Sequence, residues 1–517
     1  MRKLSPADFA GIKMEEPQNQ NQSSLQSSLI SPFSGPGGFG ALKICVLQPD
    51  YSTSDVDYQN YDPARNISHL MPDAQVDHVL LNKLSTYKQL KELKKKNYDV
   101  FVNLCEGYLE WNVPSIDVIY FMELLNLPFT GPTSLLYDPP KDLMKYVAYT
   151  VGINTPSFAL IESLDCLEKE CNHLGYPLFV KPVKAGDSLG IDQHSLVNNK
   201  EELMQKCTAI FEEYGPLLVE EYIEGREFTV MLVANADDGK TCTVFKPIEY
   251  IFPKGFEFKT YSLKTSELHP EANIPCKDPV LEKHLKDAAL QIFQGFGGVG
   301  YARLDFRVND KNEIFFLEIN FTCSVFYKDG YEGSADYILK TDGTGQAGFL
   351  KKIIDEGIAR HQRRQKKYTM KGNAIAGYGI YATQNIPAKD LIFSGEGLAQ
   401  RIVTRNYVER YWNVKEKETF RKYAYPLSKE VFLLWDNNPA NWAPQNHSCD
   451  PNTSYQGLNV VALRNISKGD ELTLNYATFL DENMEPFNCR CGADNCCGYV
   501  TGIENNSVTE RETLCSD

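Results

Sequence analysis

The sequence lacks any uninterrupted apolar run approaching the roughly 18–20 residues that a bilayer-spanning helix needs. It also lacks, behind its basic start at Arg2 and Lys3, the apolar segment that a signal peptide carries. Secretion and membrane insertion are therefore not expected, and the chain is predicted to be cytoplasmic. In that compartment its 14 cysteines should be reduced thiols, or metal ligands where they cluster.

Positive charge is scarce relative to negative charge. The chain has 68 acidic and 53 basic residues, a net charge of -15 and a pI near 5.2. An acidic surface repels phosphate backbones, so direct nucleic-acid binding is not expected. One basic run, residues 360–367, is interpreted as a linker or a solvated helix end; a nuclear import signal, and hence a nuclear location, is the alternative.

At 517 residues the chain is too long for one hydrophobic core and predicts several domains. Residues 1–40 are rich in Gln, Asn, Ser and Gly and are predicted to be disordered. Two apolar strands, near 42–47 and 99–104, are separated by a helix-like stretch, a spacing that predicts a parallel sheet. After about residue 370 the chain consists of short β-type segments separated by Gly and Pro.

A lysine at the end of an apolar strand, Lys181, precedes a loop of small residues that includes Gly186 and Ser188. Such a lysine can neutralise a phosphate, and small residues let backbone N–H groups approach it closely. A structural turn explains a glycine-rich loop alone equally well. Two acids further on, Glu220 and Glu227, can hydrogen-bond a base and a ribose, or else are surface acids.

Two apolar strands further along the chain carry oxygen donors. Asp305 lies in the first strand, and Glu318 and Asn320 lie in the second. Because side chains alternate along a strand, Glu318 and Asn320 share one face. Oxygen ligands converging from two strands suit Mg²⁺, and buried acids without such a partner are costly.

In this order, these segments resemble the ATP-grasp superfamily, in its D-alanine–D-alanine ligase-like branch, over about 43–355. The resemblance implies that the ATP phosphates are held by Lys141, Lys181, Gly186 and Ser188, and that adenine and ribose meet Glu220 and Glu227. It implies Mg²⁺ ligation by Asp305, Glu318 and Asn320, with Arg303 stabilising charge on an acyl phosphate. The family phosphorylates a carboxylate with ATP, and an amine then attacks to form a C–N bond.

Two departures bear on the substrate of this region. Members that join D-alanine follow the Glu-x-Asn motif with a Ser-Pro-Gly turn, whereas this chain has Phe321, Thr322 and Cys323. Their phosphate loop reads Gly-Ser-Ser, whereas Asp187 stands here between Gly186 and Ser188. The sequence therefore predicts a small-molecule carboxylate and an amine as substrates, without support for D-alanine.

Cysteines cluster near the C-terminus in Cys-x-Cys-x4-Cys spacing, at Cys489, Cys491 and Cys496. In a reducing compartment this spacing indicates tetrahedral Zn²⁺, which a structural site closes with a fourth ligand. Cys449 can supply that ligand, while Cys497 is disfavoured because adjacent cysteines seldom both reach one ion. Free thiols are the alternative.

Three further motifs accompany the cysteines. They are Gly377-Tyr378-Gly379, whose glycines let a ligand approach the backbone, the polar pair Asn446-His447, and Tyr476 at the end of a strand. With the cysteines, these motifs resemble a SET domain with its post-SET zinc motif over about 369–500. The resemblance implies S-adenosylmethionine binding by Gly377, Tyr378, Gly379, Asn446 and His447. It further implies that Tyr476 is the catalytic tyrosine and that zinc is bound by Cys449, Cys489, Cys491 and Cys496.

SET enzymes methylate a lysine side chain of a protein substrate, and orientation in a narrow channel supplies much of the rate. The motif before Asn446 lacks the Arg-Phe that histone-directed members usually carry, and Asn475 stands before Tyr476 where Asp is common. Methyl transfer to a protein lysine is therefore expected, without histone as the default substrate.

The predicted fold class is multidomain: an α/β and α+β ATP-grasp region followed by a mostly β SET domain. The predicted boundaries are a disordered tail at 1–40, a pre-ATP-grasp domain at 41–130, the ATP-grasp domain at 131–355, a basic linker at 356–368, the SET domain at 369–485, the zinc motif at 486–500 and a disordered tail at 501–517. The leading hypothesis is a bifunctional enzyme. The alternatives are a methyltransferase with a non-catalytic ATP-grasp module, or a ligase with a SET interaction module.

Overall fold

The computed structural model describes residues 41–53, 62–106, 113–184, 190–237, 241–255, 257–258, 272–396, 401–435, 442–481 and 485–501. The tails predicted to be disordered, 1–40 and 501–517, lie outside the described residues except for Thr501. Within the described ranges, no helix is both long and apolar enough to span a bilayer.

The first part of the chain forms a small parallel sheet. Its elements are β1 (Lys43–Pro49), β2 (Gln75–Leu81), α1 (Thr86–Lys94), β3 (Val100–Asn103) and α2 (Ile116–Leu124). The strand order is β2-β1-β3 with both pairings parallel, which confirms the parallel sheet expected from sequence. Strand β2 was missed because its residues are mostly half-buried and form no continuous apolar run.

A second, antiparallel sheet follows. Its elements are α3 (Lys141–Thr150), β4 (Phe158–Ile161), α4 (Leu167–Glu170), β5 (Leu178–Pro182), β6 (Leu196–Val197), α5 (Lys200–Tyr214) and β7 (Leu217–Glu221), with strand order β4-β7-β5-β6. Helix α5 begins where the Asn199 side chain accepts the backbone N–H of Glu202, and it ends at Gly215, whose φ is 76°. Its apolar residues pack on this sheet.

The third and largest sheet is also antiparallel. Its region contains β8 (Arg226–Ala234), β9 (Cys242–Val244), β10 (Ile248–Tyr250), β11 (Asn273–Pro275), α6 (Pro279–Gly295), β12 (Tyr301–Val308), β13 (Ile314–Asn320), α7 (Ser334–Asp342) and α8 (Gly345–Arg364). The main strand order is β11-β10-β8-β12-β13. Apolar residues of β1 and β3, such as Ile44 and Val100, share one core with Met231, Tyr301 and Phe349 of this region.

Helix α8 corrects the predicted basic linker at 356–368, because the helix continues to Arg364. Arg360 is buried and its guanidinium donates to the carbonyls of Gly131 and Phe129, each at 2.7 Å. The interpretation as a helix end with exposed basic residues holds for residues 362–366, whereas the linker bounds and the exposure of Arg360 were wrong. The first arginine of the run satisfies backbone carbonyls that would otherwise be buried without partners.

The remaining chain folds into several small sheets. Its elements are β14 (Tyr368–Asn373), β15 (Gly377–Ala382), β16 (Leu391–Phe393), β17 (Arg401–Thr404), α9 (Arg405–Tyr411), α10 (Val414–Tyr423), β18 (Tyr425–Pro426), β19 (Val431–Leu434), β20 (Asn446–His447), β21 (Thr453–Gln456), β22 (Asn459–Ala462), β23 (Thr473–Leu474), β24 (Phe487–Asn488) and β25 (Tyr499–Val500). Strands β20 and β23 pair in parallel, and the other pairings in this part are antiparallel. The region is mostly β, as predicted, although helices α9 and α10 were not anticipated.

Candidate functional site

A cleft lies between the second and third sheets. Its lining includes the aromatic side chains of Phe179, Tyr222 and Phe258. The ring centroids of Phe179 and Phe258 are 4.9 Å apart, and those of Tyr222 and Phe258 are 6.3 Å apart. A cleft with an aromatic wall suits a small ligand that carries a flat ring.

Strands β12 and β13 bring four predicted side chains to one face. Arg303 lies opposite Asn320, and Asp305 lies opposite Glu318, so the predicted convergence of oxygen donors is observed. Asn320 Nδ2 lies 3.4 Å from Glu318 Oε1, and Arg303 Nη2 lies 3.3 Å from Asp305 Oδ2. The other carboxylate oxygen, Asp305 Oδ1, is buried and meets no hydrogen-bond partner among the described residues. A buried, unpartnered oxygen beside further carboxylate and amide oxygens fits a hard cation such as Mg²⁺.

A cluster of buried lysines forms around Glu220. Glu220 Oε1 lies 2.6 Å from Lys181 Nζ, and Oε2 lies 2.7 Å from Lys145 Nζ. Lys141 is also buried, one helical turn before Lys145 on α3. Two lysines against one carboxylate leave excess positive charge close to the cleft, an arrangement that suits an anionic ligand.

Burial and neighbouring charges shift the pKa values of the ionisable side chains in this cluster. Burial lowers the pKa of Lys141, and it lowers the pKa of Lys145 to about 8. Burial alone would raise the pKa of Glu220, but Lys145 and Lys181 hold it below its usual value. Lys145 was not among the predicted site residues, although its position four residues after Lys141 on one helix face was a usable signal.

Glu227 faces the cleft from β8 and is held by Arg307 of β12. Glu227 Oε2 lies 3.2 Å from Arg307 Nη2. Arg307 also donates to the Tyr222 hydroxyl at 3.1 Å and to the Gly225 carbonyl at 3.0 Å. Sequence reasoning missed Arg307, which fixes the aromatic wall and the acid next to each other. The predicted loop residues Gly186 and Ser188 lie outside the described residues.

In the C-terminal region the Gly-x-Gly segment packs against Asn446. Asn446 Nδ2 donates to the Tyr378 carbonyl and to Glu471 Oε1, each at 2.7 Å. Gly379 lies so close that a Cβ there would overlap Glu471 Oε1 and come within 3.0 Å of Asn446 Nδ2. Asn446 Oδ1 has no partner within the described residues, so an acceptor remains for a ligand lying on the Gly-x-Gly backbone.

Two hydrogen bonds hold Tyr476 next to Gln445 and His447. Its backbone N–H donates to His447 Nδ1 at 3.1 Å, and its hydroxyl donates to the Gln445 carbonyl at 2.5 Å. Burial raises the pKa of Tyr476 well above its usual range, and the neighbouring Tyr378 and Tyr423 add to the shift. The hydroxyl is therefore a protonated hydrogen-bond donor at neutral pH.

The four predicted zinc-ligating thiols converge. The Sγ atoms of Cys449, Cys489, Cys491 and Cys496 all lie within 4.8 Å of one another. Cys449 and Cys489 are 3.9 Å apart, close to the about 3.8 Å edge that a tetrahedron of 2.3 Å Zn–S bonds requires. Cys497 is not part of this converging set, although its Sγ lies 3.5 Å from Cys449 Sγ; it donates to the Tyr499 carbonyl at 3.3 Å. Burial would raise the pKa of Cys491, but backbone N–H groups of Cys449 and Ala493 lower it to about 6, which favours the ligating thiolate.

Comparison with known proteins finds two families in the chain. A family model described as D-ala D-ala ligase C-terminus matches residues 147–325, and one described as SET domain matches residues 377–477. The D-alanine–D-alanine ligase of Fervidobacterium nodosum is 30% identical over 273 residues, a match covering 50% of this chain and 79% of that ligase. This chain belongs to the D-alanine–D-alanine ligase family and carries a SET domain.

Two further ligases match this chain over part of its length. The D-alanine–D-alanine ligase of Aquifex aeolicus is 33% identical over 202 residues, and the chain spans 64% of that ligase's length and 38% of its own. A crystal structure of the Bacillus anthracis D-alanine–D-alanine ligase complexed with ATP aligns with 63% of this chain and 100% of the ligase, at 19% identity and a TM-score of 0.46. The residues that line the cleft all fall within the ligase family match at 147–325.

The two family matches do not include all of the residues described above. Lys141 and Lys145 precede the ligase match, and the cysteines at 489, 491 and 496 follow the SET match. The structure nevertheless pairs Lys145 with Glu220, which lines the cleft, and brings these cysteines to Cys449, which lies within the SET match. The roles of individual site residues remain predictions.

Proposed function

We propose that this protein is a bifunctional enzyme, an ATP-dependent carboxylate–amine ligase joined to an S-adenosylmethionine-dependent protein-lysine methyltransferase. The ligase half rests on one observation above all. Asp305 of β12 and Glu318 of β13 line the same cleft as Lys181 and Glu220 of the opposing sheet. Anion-binding and cation-binding groups facing each other across a cleft suit a nucleotide triphosphate bound with a metal ion.

In the proposed ligase reaction, ATP supplies the phosphoryl group that activates a carboxylate as an acyl phosphate. Asp305, Glu318 and Asn320 would hold Mg²⁺, and the buried Asp305 Oδ1 is the atom that most requires such a partner. Lys141 and Lys181 would face the phosphates. Arg303, directly opposite Asn320, would stabilise charge where the carboxylate is activated.

The aromatic wall would hold adenine, with Glu227 near the ribose. Glu220 has a different environment, because both of its oxygens are engaged by lysines. We therefore assign Glu220 to orienting Lys145 and Lys181 rather than to contacting adenine. A fixed counter-charge keeps two long side chains in one geometry before the phosphates arrive.

The first experiment follows ADP release by the full chain with ATP, Mg²⁺ and a panel of amino acids that includes D-alanine. The relatives are named for joining D-alanine, whereas Phe321, Thr322 and Cys323 replace their usual turn here. We expect amine- and carboxylate-dependent ADP release with a partner other than D-alanine. Lys181→Ala should abolish it, and Lys169→Ala, at an exposed lysine, should not. Absence of substrate-dependent ADP across the panel would refute the ligase proposal.

The methyltransferase half rests on the assembly around Tyr476. S-adenosylmethionine supplies an electrophilic methyl group when bound. Asn446 Oδ1 would accept from the cosubstrate, and the Gly-x-Gly backbone would lie beside it. The side chains of Tyr378, Tyr423 and Tyr476 would wall a channel that orients a neutral lysine amine and excludes water.

The matching experiment transfers a radiolabelled methyl group to lysate proteins. Tyr476→Phe removes the buried hydroxyl and should reduce labelling by about 100-fold or more. Tyr411→Phe removes a hydroxyl from an exposed tyrosine on α9 and serves as the control. Equal labelling by wild type and Tyr476→Phe would show that the hydroxyl has no part in methyl transfer.

A further inference from the structure

Glu471 lies between the two motifs that would bind S-adenosylmethionine. Its Oε1 accepts from Asn446 Nδ2 at 2.7 Å. Both of its oxygens accept from Asn373 Nδ2, each at 2.9 Å. Asn373 ends strand β14, so this one carboxylate links the turn before the Gly-x-Gly segment to the Asn446-His447 strand.

The backbone holds this side chain in place. Asn452 Nδ2 donates to the Glu471 carbonyl at 2.8 Å, and the next residue, Leu472, donates its N–H to the Ile380 carbonyl at 2.8 Å. Glu471 is thereby fixed alongside β15, directly against Gly379. A side chain larger than hydrogen at position 379 would collide with the carboxylate, so the glycine and the acid form one fitted pair.

Glu471 has amide partners but no cation. Within the described part of the chain it takes part in no ion pair. Other acids of the same region are neutralised by neighbours, as Asp450 is by Arg464 at 2.8 Å and Asp390 is by Lys367 at 2.7 Å. A half-buried carboxylate without a counter-charge is costly unless a ligand supplies one.

The same network decides how Asn446 is oriented. Its amide nitrogen has two hydrogens, and both are used, on the Tyr378 carbonyl and on Glu471. The amide therefore cannot flip, and only Oδ1 is presented to a ligand. An acceptor oxygen beside an uncompensated carboxylate selects a cationic ligand.

We propose that Glu471 is a positioning residue that orients Asn446 and supplies the negative charge by which this site prefers S-adenosylmethionine to its demethylated product. The inference rests on the proposed methyl-transfer function and goes beyond it. When an amine attacks the methyl carbon, the C–S bond electrons return to sulfur and the sulfonium becomes a neutral thioether. The product has lost one positive charge, so a nearby carboxylate attracts it less than the cosubstrate.

The test is calorimetric titration of the full, zinc-loaded chain with S-adenosylmethionine and, separately, with S-adenosylhomocysteine. Glu471→Gln keeps the size and removes the charge. We expect its Kd for S-adenosylmethionine to rise about tenfold more than its Kd for S-adenosylhomocysteine. Glu471→Asp keeps the charge on a shorter side chain, so it should preserve the ratio of the two Kd values even if both increase. Glu430→Gln, at an exposed acid, should change neither.

Equal weakening of both ligands in Glu471→Gln, or no weakening, would overturn the proposal, since charge would then play no part in the preference. If Glu471→Gln does not fold, the ratio is measured on wild type at about 50 and about 500 mM salt, where screening should reduce the preference. A ratio that does not depend on salt counts against the carboxylate. Failure of wild type to bind either ligand would instead refute the proposed methyl-transfer function, and this inference with it.

Discussion

At the scale of single residues, the ATP-grasp cleft depends on a charge cluster of residues distant in sequence. The Nζ atoms of Lys145 on α3 and Lys181 on β5 each lie within 2.7 Å of a carboxylate oxygen of Glu220 on β7. Removing one partner of a buried ion pair leaves the other charges uncompensated, which costs about 3–5 kcal/mol. We therefore make two predictions about this cluster, one for a substitution of Glu220 and one for the pH dependence of ATP binding.

Glu220→Gln should lower the melting temperature of the ATP-grasp region and weaken ATP binding. The amide cannot compensate two buried ammonium groups, so the lysines lose their fixed orientation. Thermal unfolding and equilibrium ATP binding measure the two effects. Glu213→Gln, at an exposed acid on α5, is the control and should match wild type. A Glu220→Gln protein with wild-type ATP affinity would contradict the orienting role.

ATP binding should weaken as the pH rises from 7 to 9. Because burial lowers the pKa of Lys145 to about 8, this side chain loses its positive charge within that window. The Kd for ATP is expected to increase by about tenfold across it. Lys145→Arg keeps its charge at these pH values, so its profile should be flatter. A wild-type profile that is flat over the window would show that Lys145 does not contribute charge to the site.

At the scale of elements, we expect strand β15 and the zinc-motif loops to be sensitive to single substitutions. The Gly379 position in β15 has no room for a methyl group, whereas at Gly372 on the paired strand β14 an added Cβ would meet no atom within 4 Å. The cysteine loops around β24 and β25 have little secondary structure of their own. Both elements should respond to substitutions that the rest of the domain tolerates.

Gly379→Ala should reduce kcat/KM for methyl transfer by about 100-fold, because the new methyl group displaces Glu471 and Asn446 from their fitted positions. S-adenosylmethionine affinity should fall in parallel. Gly372→Ala adds the same methyl group to open space and should leave both quantities unchanged. Similar losses in the two variants would indicate a general effect on the β14–β15 pair.

Zinc should bind in a one-to-one ratio through the four converging thiols. The paired substitution Cys489→Ser, Cys491→Ser should abolish the bound metal measured by elemental analysis, because two oxygens replace two thiolate ligands. Cys497→Ser should retain full zinc, since Cys497 approaches Cys449, at 3.5 Å between the sulfurs, without belonging to the four thiols that converge on one another. Metal content that is insensitive to the paired change would remove zinc from this site.

At the scale of the whole molecule, no hydrophobic core of the described residues contains residues from both sides of Tyr368, and the second sheet has a core of its own. One core joins β1 and β3 of the first sheet to the third sheet and to α8. The cores of the C-terminal region contain only residues from Tyr368 onward. Only residues 365–367 separate the end of α8 from β14. We therefore propose that the predicted domains at 41–130 and 131–355 unfold together and that the SET domain unfolds independently.

Ligands should stabilise these two units selectively. ATP with Mg²⁺ should raise the temperature of one thermal transition, and S-adenosylmethionine should raise that of another. At a ligand concentration of 100 Kd, the free energy of unfolding of each unit should increase by about 2.7 kcal/mol. Scanning calorimetry of the full chain resolves the transitions. Lys181→Ala should remove only the first shift, and Asn446→Ala only the second. A single transition that both ligands raise would show one cooperative unit.

The sequence by itself determined the features that depend on local spacing. Strand alternation placed Glu318 and Asn320 on one face, and the cysteine spacing identified the thiols that meet Cys449. The parallel first sheet and the mostly β C-terminal region also followed from local patterns, because periodicity and turn residues act over a few positions. Edge strand β2 was missed for the same reason, since it carries no strong local pattern.

Only the tertiary structure decided which charged and polar groups pair across long separations. The sequence alone could not show that Glu220 pairs with two lysines, because each lysine lies on a separate element. It could not show that Glu471 accepts from Asn373 and Asn446 for the same reason. The same holds for Arg360, which reads as a solvated charge in sequence but is buried against the carbonyls of Phe129 and Gly131. Burying a charge is favourable only where the fold supplies its partners, and those partners are chosen by packing rather than by neighbours in the chain.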